Sequence, residues 1–308
     1  MPPKFARPFA ILAASLLAAP AFAAQSLYQT RLNAPAGGTL TLSTDVGSLS
    51  VVGGTTSHVT FKMQAEGLEP NRNVFHIVSR TTPDGVRISV TRRSLFFHGW
   101  FNWLHWFGLS HDHVRLSVAV PSAYRLELRT AGGSITVRNI GAAVRATSSG
   151  GDADVQDVTG ALDVQTAGGD INARNVQGTI HLNSSGGDLT ISHSSGPLTL
   201  HTAGGDIIIR NANGPVRASS AGRDIHAEVA AAHRIRLSTA GGDITLRLPQ
   251  DVHAAVTAEA VGGSVDCDFP LSTTQKSAGD ELKGTIGGGG PHISLHSAGG
   301  DIHIAAQH

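Results

Sequence analysis

Aspartates recur along this chain at a nearly constant interval. Asp152, Asp170, Asp188, Asp206 and Asp224 are eighteen residues apart, Asp243 follows after nineteen, and Asp301 closes the series near the C-terminus. Carboxylates stacked in a column could hold a hard cation such as calcium. The same residue type also accepts backbone N–H groups in tight turns. Ser134 and Ser264 replace the aspartate in two copies, and serine caps a turn well but is a poor calcium ligand. The GGxGxD spacing of calcium-binding β-rolls is absent. The expectation is a column of turn caps with no metal, Asp152, Asp154 and Asp170 being the weak candidates for a cation.

Four other sets of residues could do chemistry. Asp152, Asp154, Asp170 and Asn172 share two positions of adjacent repeats, an oxygen cluster of the kind that binds substrate on the flank of a β-helical polysaccharide lyase. No long loop walls a groove there and no basic residue lies among them, so catalysis is not expected. The hydroxyls Thr130, Ser148, Thr166, Ser184, Thr202, Ser220 and Thr239 form a column too. Catalysis needs one activated hydroxyl, whereas repetition points to a hydrogen-bonded ladder at a corner. Sixteen histidines include the pairs His111/His113 and His292/His296, each on one face of a strand but without a third ligand of known position. Finally, Phe96, Phe97, Trp100, Phe101, Trp103, Trp106 and Phe107 crowd into one segment containing all three tryptophans. Phe97, Trp100, Trp103, Trp106 and Phe107 are candidates either to plug the open end of a repeat stack or to contact a partner, a glycan or a lipid surface.

The spacing behind these columns is architectural. Glycine pairs begin at Gly132, Gly150, Gly168, Gly186 and Gly204, a Gly-Arg variant begins at Gly222, and further pairs begin at Gly241, Gly262 and Gly299. Such periodicity marks a solenoid in which each repeat stacks on the last. Counting from the first glycine, offsets three and five are apolar (Ile135 and Val137, Leu189 and Ile191), and so are offsets twelve and fourteen (Leu162 and Val164, Leu198 and Leu200). Each coil therefore reads as two short strands, each with one buried face, giving four inward side chains. The glycine pair is expected to supply positive φ at one corner, and Gly160, Gly178, Gly196 and Gly214 mark the other. Arg138, Arg174 and Arg210, each followed by Asn, skip alternate coils, so the unit reads as a two-coil duplication that keeps arginines from stacking on one another.

Residues 1–23 read as a signal peptide, with basic Lys4 and Arg7, an apolar run from Phe9 to Ala19, and Ala21-Phe22-Ala23 before the cut. Residues 24–121 read as an irregular β-rich part of the same body, with an aromatic insertion over 93–113, and residues 122–308 as the solenoid repeats. Lys+Arg and Asp+Glu both total 23, which removes the electrostatic case for nucleic acid. Cys267 is the single cysteine, so burial and backbone ladders must supply stability.

The run VAVPSAYRLELRTAGGSITV (Val118–Val137), the iterated TAGGDI and SSGGDL segments, and DVGSLSVVGG at Asp45–Gly54 resemble the DUF4097 putative-adhesin family of bacterial envelope proteins. The resemblance covers roughly Gly37 to His308. It implies a β-solenoid, export to the periplasm or cell surface, and no catalytic residue to carry over. The combined expectation is an all-β, β-solenoid (parallel β-helix-like) protein of about eighteen residues per coil, non-enzymatic and without cofactor, acting as an adhesin or interaction scaffold. Its partner would be a protein or glycan at the cell envelope, with membrane-surface contact through the aromatic segment and oligomerisation as further options. The alternatives are a carbohydrate-active β-helix enzyme built on the Asp cluster and a self-assembling envelope filament.

Overall fold

The computed structural model describes residues 25–66, 74–92, 113–277 and 280–307. They form two long sheets, one of 13 strands and one of 14, with no helix among them. Each coil gives one strand to the 14-stranded sheet, turns at the Gly-Gly corner, and gives the next strand to the 13-stranded sheet. In the regular region the coils pair in parallel and in register, Leu162 with Ile180 and Val164 with Leu182 in one sheet, Ile171 with Leu189 and Ala173 with Ile191 in the other. The architecture is the β-solenoid that the eighteen-residue period predicts. Eleven coil levels at about 4.8 Å per step make a body about 50 Å long.

The inward faces of the two sheets meet in one apolar core of Val, Ile, Leu and Ala. Five side chains per coil reach it, not four. Ile140, Val158, Val176, Ser194 and Ala212 form an additional buried column at offset eight. The residue before each one has a left-handed backbone: Asn139, Asp157, Asn175, His193 and Asn211 all lie at φ between 53 and 58°. That kink breaks the strand's alternation and turns the next side chain inward. Asn, Asp and His are the residues that tolerate this conformation best. The Asn of each Arg-Asn pair is thus a backbone device, while the arginines do alternate in register as Arg138, Gln156, Arg174, Ser192 and Arg210.

The glycine corner corrects a second expectation. Gly132, Gly150, Gly168, Gly186, Gly204 and Gly241 are not at positive φ; Gly262 (89°) is, and on the opposite corner so are Gly178 (133°), Gly196 (120°) and Gly214 (156°). What the paired glycines supply is close approach, and the second of each pair is the one that meets the neighbouring main chain; Arg223 takes that place in one corner, which keeps its bonds to Ser220 and Asp206. A methyl group on Gly205 would sit 2.7 Å from the Asp188 nitrogen and closer still to the Gly187 carbonyl. On Gly204 it would meet nothing nearer than 3.5 Å.

Coil order in space departs from coil order in sequence at both ends. The strands Thr39–Thr44 and Ser48–Gly54 lie between the coil of Gly85–Arg92 and His113–Pro121 and the coil of Arg125–Thr130 and Ile135–Ile140. At the other end, His292–Ser297 and Ile302–Ala306 slot between the coil of Ile235–Thr239 and Ile244–Leu248 and the coil of Ala254–Ala260 and Val265–Cys267. The first and last coils of the chain are each enclosed one level in, so the repeat beginning at Gly299 stacks on that of Gly241, ahead of Gly262. Antiparallel strands finish the ends: Gln25–Asn33 with His58–Glu66 and Phe75–Thr82 at one, Leu271–Ser277 with Glu281–Ile286 at the other. The N-terminal strands are therefore coils and edge covers of the same solenoid.

Two predictions test this geometry. Gly205→Ala is expected to cost about 1–3 kcal/mol, because its methyl presses on the main chain of the preceding coil, whereas Gly204→Ala costs under about 1 kcal/mol. Thermal melts of the two variants check it, and equal melting temperatures would remove the close-approach assignment. Ser194 is 4% exposed in a column otherwise filled by Ile, Val and Ala. Ser194→Val should therefore raise stability by about 1 kcal/mol, read from urea unfolding.

Candidate functional site

Three polar columns are built by the coil geometry, and each has a definable chemistry. The hydroxyl column lies inside the Gly-Gly corner. Thr166 Oγ1 accepts the Gly169 N–H at 3.1 Å and donates to the Gly151 carbonyl of the preceding coil at 3.2 Å. Thr202 repeats this with Gly205 N–H at 3.2 Å and Gly187 O at 2.9 Å, and Ser148, Ser184, Ser220 and Thr239 do the same in their coils. These side chains are buried, Thr202 completely. Each of these six hydroxyls both donates to a carbonyl and accepts an N–H, which leaves none of the six free as a nucleophile.

The aspartate column stands outside the same corner. Asp152 accepts the backbone N–H of Asp170 at 3.0 Å, Asp170 that of Asp188 at 2.8 Å, and Asp188 that of Asp206 at 2.8 Å. The series continues through Asp224, Asp243 and Asp301, and ends where Asp301 accepts both the N–H and the hydroxyl of Ser264. These aspartates do not cap their own turns. Each reaches across to the next coil, while the cap within the turn belongs to the Ser/Thr hydroxyl. Like charges one step apart repel by about 1 kcal/mol in water, and a hydrogen bond to a charged acceptor returns ~1.5–3 kcal/mol, so the ladder is net favourable.

The Asp cluster does not assemble into a catalytic pair. Asp152 and Asp170 hold ladder bonds, and Asp154 faces Arg138 at 3.8 Å on the outer surface, in register with Asn172. Among the described residues no three of His, Cys, Asp and Glu converge as metal ligands. His292 and His296 do share a face of one strand; His292 Nε2 is 3.4 Å from Thr257 Oγ1, and His296 Nδ1 is 3.5 Å from Glu259. His111 and the side chain of His113 lie outside the described residues. So does the aromatic segment with Phe97, Trp100, Trp103, Trp106 and Phe107.

The third column escaped sequence reasoning. The left-handed residues Asp157, Asn175, His193 and Asn211 line an open depression of about 490 Å³ on the edge of the 13-stranded sheet. Asn175 Nδ2 donates to Asp157 Oδ1 at 2.9 Å, and Asn211 Nδ2 meets His193 Nδ1 at the same distance. The signal was present as an Asn/Asp/His position repeating every eighteen residues.

Replacing Thr202 by the isosteric Val strands a buried donor and a buried acceptor and should cost about 2–4 kcal/mol. Asp188→Asn keeps an acceptor oxygen for the Asp206 N–H and should cost under about 1 kcal/mol. Millimolar calcium should leave the melting temperature unchanged, because each ladder carboxylate is already engaged. A rise of several degrees, reversed by EDTA, would replace the hydrogen-bonded ladder with a metal ladder.

Comparison with known proteins adds a family. The family described as Toastrack DUF4097 matches residues 62–305. Among solved structures, the chain is similar to a putative adhesin from Bacteroides fragilis NCTC 9343, at 13% identity over 91% of this chain and 96% of that one, with a TM-score of 0.38. It is also similar to a putative cell adhesion protein from Clostridium sporogenes ATCC 15579, at 11% identity over 92% and 100% of the two chains, with a TM-score of 0.24. No curated protein sequence matches it. With the family's span covering most of the chain and the coil motifs falling inside it, this protein belongs to the Toastrack DUF4097 family.

Proposed function

We propose that this protein is an exported, non-enzymatic envelope protein that serves as an adhesin or interaction scaffold. The observation that carries this reading is the state of its chemically capable groups. The column hydroxyls and ladder carboxylates are held in bonds between coils, and what remains on the two lateral faces is a regular array of exposed polar side chains. A rigid body of this kind presents repeated contacts at a fixed step, which suits adhesion through many weak bonds. The basic and apolar start of the chain, with its Ala-Phe-Ala cut, supports export.

The enzyme alternative loses its basis, because Asp154 is the one acid of its cluster outside the ladder, and it faces an arginine. End-to-end filament growth is disfavoured by the antiparallel strands that finish both sheets at the N-terminal end and the 14-stranded sheet at the other.

The test is a glycan array and whole-cell binding assay with the mature chain, run beside a turnover assay on the bound glycans. Saturable binding without turnover is expected. Release of unsaturated or reducing sugars that disappears in Asp154→Asn would overturn the non-enzymatic reading.

A further inference from the structure

Charge is dispersed over most of this solenoid's surface. On the 13-stranded sheet arginines alternate with neutral or acidic residues, and Glu228 sits in register with Arg247. On the 14-stranded sheet Arg145 pairs in register with Asp163 at 2.9 Å. Like charges stand in register at Arg80 and Arg87 and at Glu259 and Glu281, and a third place gathers more charge than either. Arg217 and Arg236 stand directly opposite each other on adjacent strands. Arg234 lies two residues from Arg236, His292 precedes Ile293, the register partner of Ile235, and all four side chains line one groove. The three arginines make no ion pair among the described residues.

No carboxylate compensates from the surrounding columns. Along the column of Arg217 the register runs through Thr199 and His181 to Asp163, three coils away, about 14 Å, and Asp163 is engaged with Arg145. That distance exceeds the screening length of about 10 Å at 0.1 M salt. In the other direction the column runs through Ser294 and Thr257 to Lys283, whose ammonium is held by Glu281. The neighbouring outward column runs His201, Ser219, Ser238 and His296 before reaching Glu259, which faces His296. Like charges in register on adjacent strands are destabilising. Three arginines and a histidine gathered on one face, with no carboxylate beside them, mark a candidate functional position.

The four cationic or titratable side chains line an open groove of about 400 Å³. Thr199 and Ser294 supply hydroxyl groups to it, and Pro197 and Pro215 supply apolar ring surface. We propose that this groove binds the anionic groups, sulfate or carboxylate, of a linear polysaccharide. Planar guanidinium forks match both oxyanions in bidentate fashion. The hydroxyls and proline rings suit the polar edges and apolar faces of sugar rings. No aromatic residue lines the groove to stack a base, and the chain carries no net charge, which sets nucleic acid aside. The large apolar side chains exposed among the described residues are Val52 and Val261, neither of them in the groove, so nothing there would insert into a bilayer.

The proposal rests on the adhesive reading and names its ligand class. The mature full chain is tested for binding to dextran sulfate, polygalacturonate and uncharged dextran, over a range of salt. Binding to at least one polyanion is expected, weakening with salt, with no binding to dextran. Arg217→Gln, Arg234→Gln and Arg236→Gln combined should weaken it by about 100-fold or more, roughly tenfold per lost charged hydrogen bond. The combined variant should melt no lower than the parent, since repulsion is relieved. Should it melt lower, Arg236→Gln alone is expected to weaken binding about tenfold. The same charge removed from the other sheet, by Arg138→Gln, Arg174→Gln and Arg210→Gln combined, should change binding less than about threefold.

Equal losses from both triple variants would overturn the groove in favour of diffuse charge. Tighter binding to phosphatidylglycerol vesicles or to single-stranded DNA than to either polyanion would overturn the polysaccharide assignment. A parent protein that adheres to cells or neutral glycans but ignores both polyanions would sink the groove and leave the adhesive reading intact. Loss of all adhesion would sink both.

Discussion

Everything in this solenoid depends on how closely two coils can approach at the Gly-Gly corner. The backbone of each coil there passes so near the previous one that a methyl group on Gly151, Gly169, Gly187 or Gly205 would overlap main-chain atoms. Closeness brings the hydroxyl of Thr166 or Thr202 within reach of a carbonyl on the coil before it, and the carboxylate of Asp170 or Asp188 within reach of an N–H on the coil after it. The hydroxyl binds inside the corner and the carboxylate outside, so successive corners are tied on both flanks. Once the corners are in register, the strands that leave them in both sheets are in register too. Inward residues then stack on like residues: Ile171 on Leu189 on Ile207.

A stack held by neighbour-to-neighbour bonds has vulnerable ends. Here the chain's first and last coils are enclosed one level inside the stack. Neither can peel away without first displacing the coil outside it. The outermost N-terminal level is in turn covered by antiparallel strands on both sheets, and the outermost C-terminal level on the 14-stranded sheet, where the other sheet ends on the three-residue strand Val265–Cys267. Length is thus set by the chain itself, and the lateral faces are left as the surfaces of consequence.

Much of this was legible in the sequence because a period of eighteen carries both the coil length and the inward pattern of Ile, Leu and Val. The positions that misled were those whose chemistry is local in appearance and distant in fact. Asp170 looks like a cap for its own turn, but its partner is eighteen residues on. Gly204 and Gly205 look interchangeable, yet only the second faces the neighbouring backbone. Asn175 looks like an ordinary outward residue, and its left-handed backbone is what brings Val176 into the core. Coil order at the ends was hidden for another reason. The corners at Gly262 and Gly299 share a glycine pair, and only their flanks tell them apart: Ser297 and Asp301 continue the columns of Thr239 and Asp243, whereas Ala260 and Ser264 stand in those places at the outer coil. The groove of Arg217, Arg234 and Arg236 was invisible until register placed residues nearly twenty positions apart side by side.

The corner bonds hold as firmly as the strands, although the corners lie at the surface. Native-state hydrogen exchange of the Gly205, Asp188 and Asp206 amides measures this directly. Protection of these three equal to that of the core strand amides of Ile191 and Ile209 is the expected result, since the corner can open only when the stack does. Exchange at the rate of exposed turn amides, with the strands still protected, would contradict the claim and reduce the corner to a passive connection between two independently stable sheets.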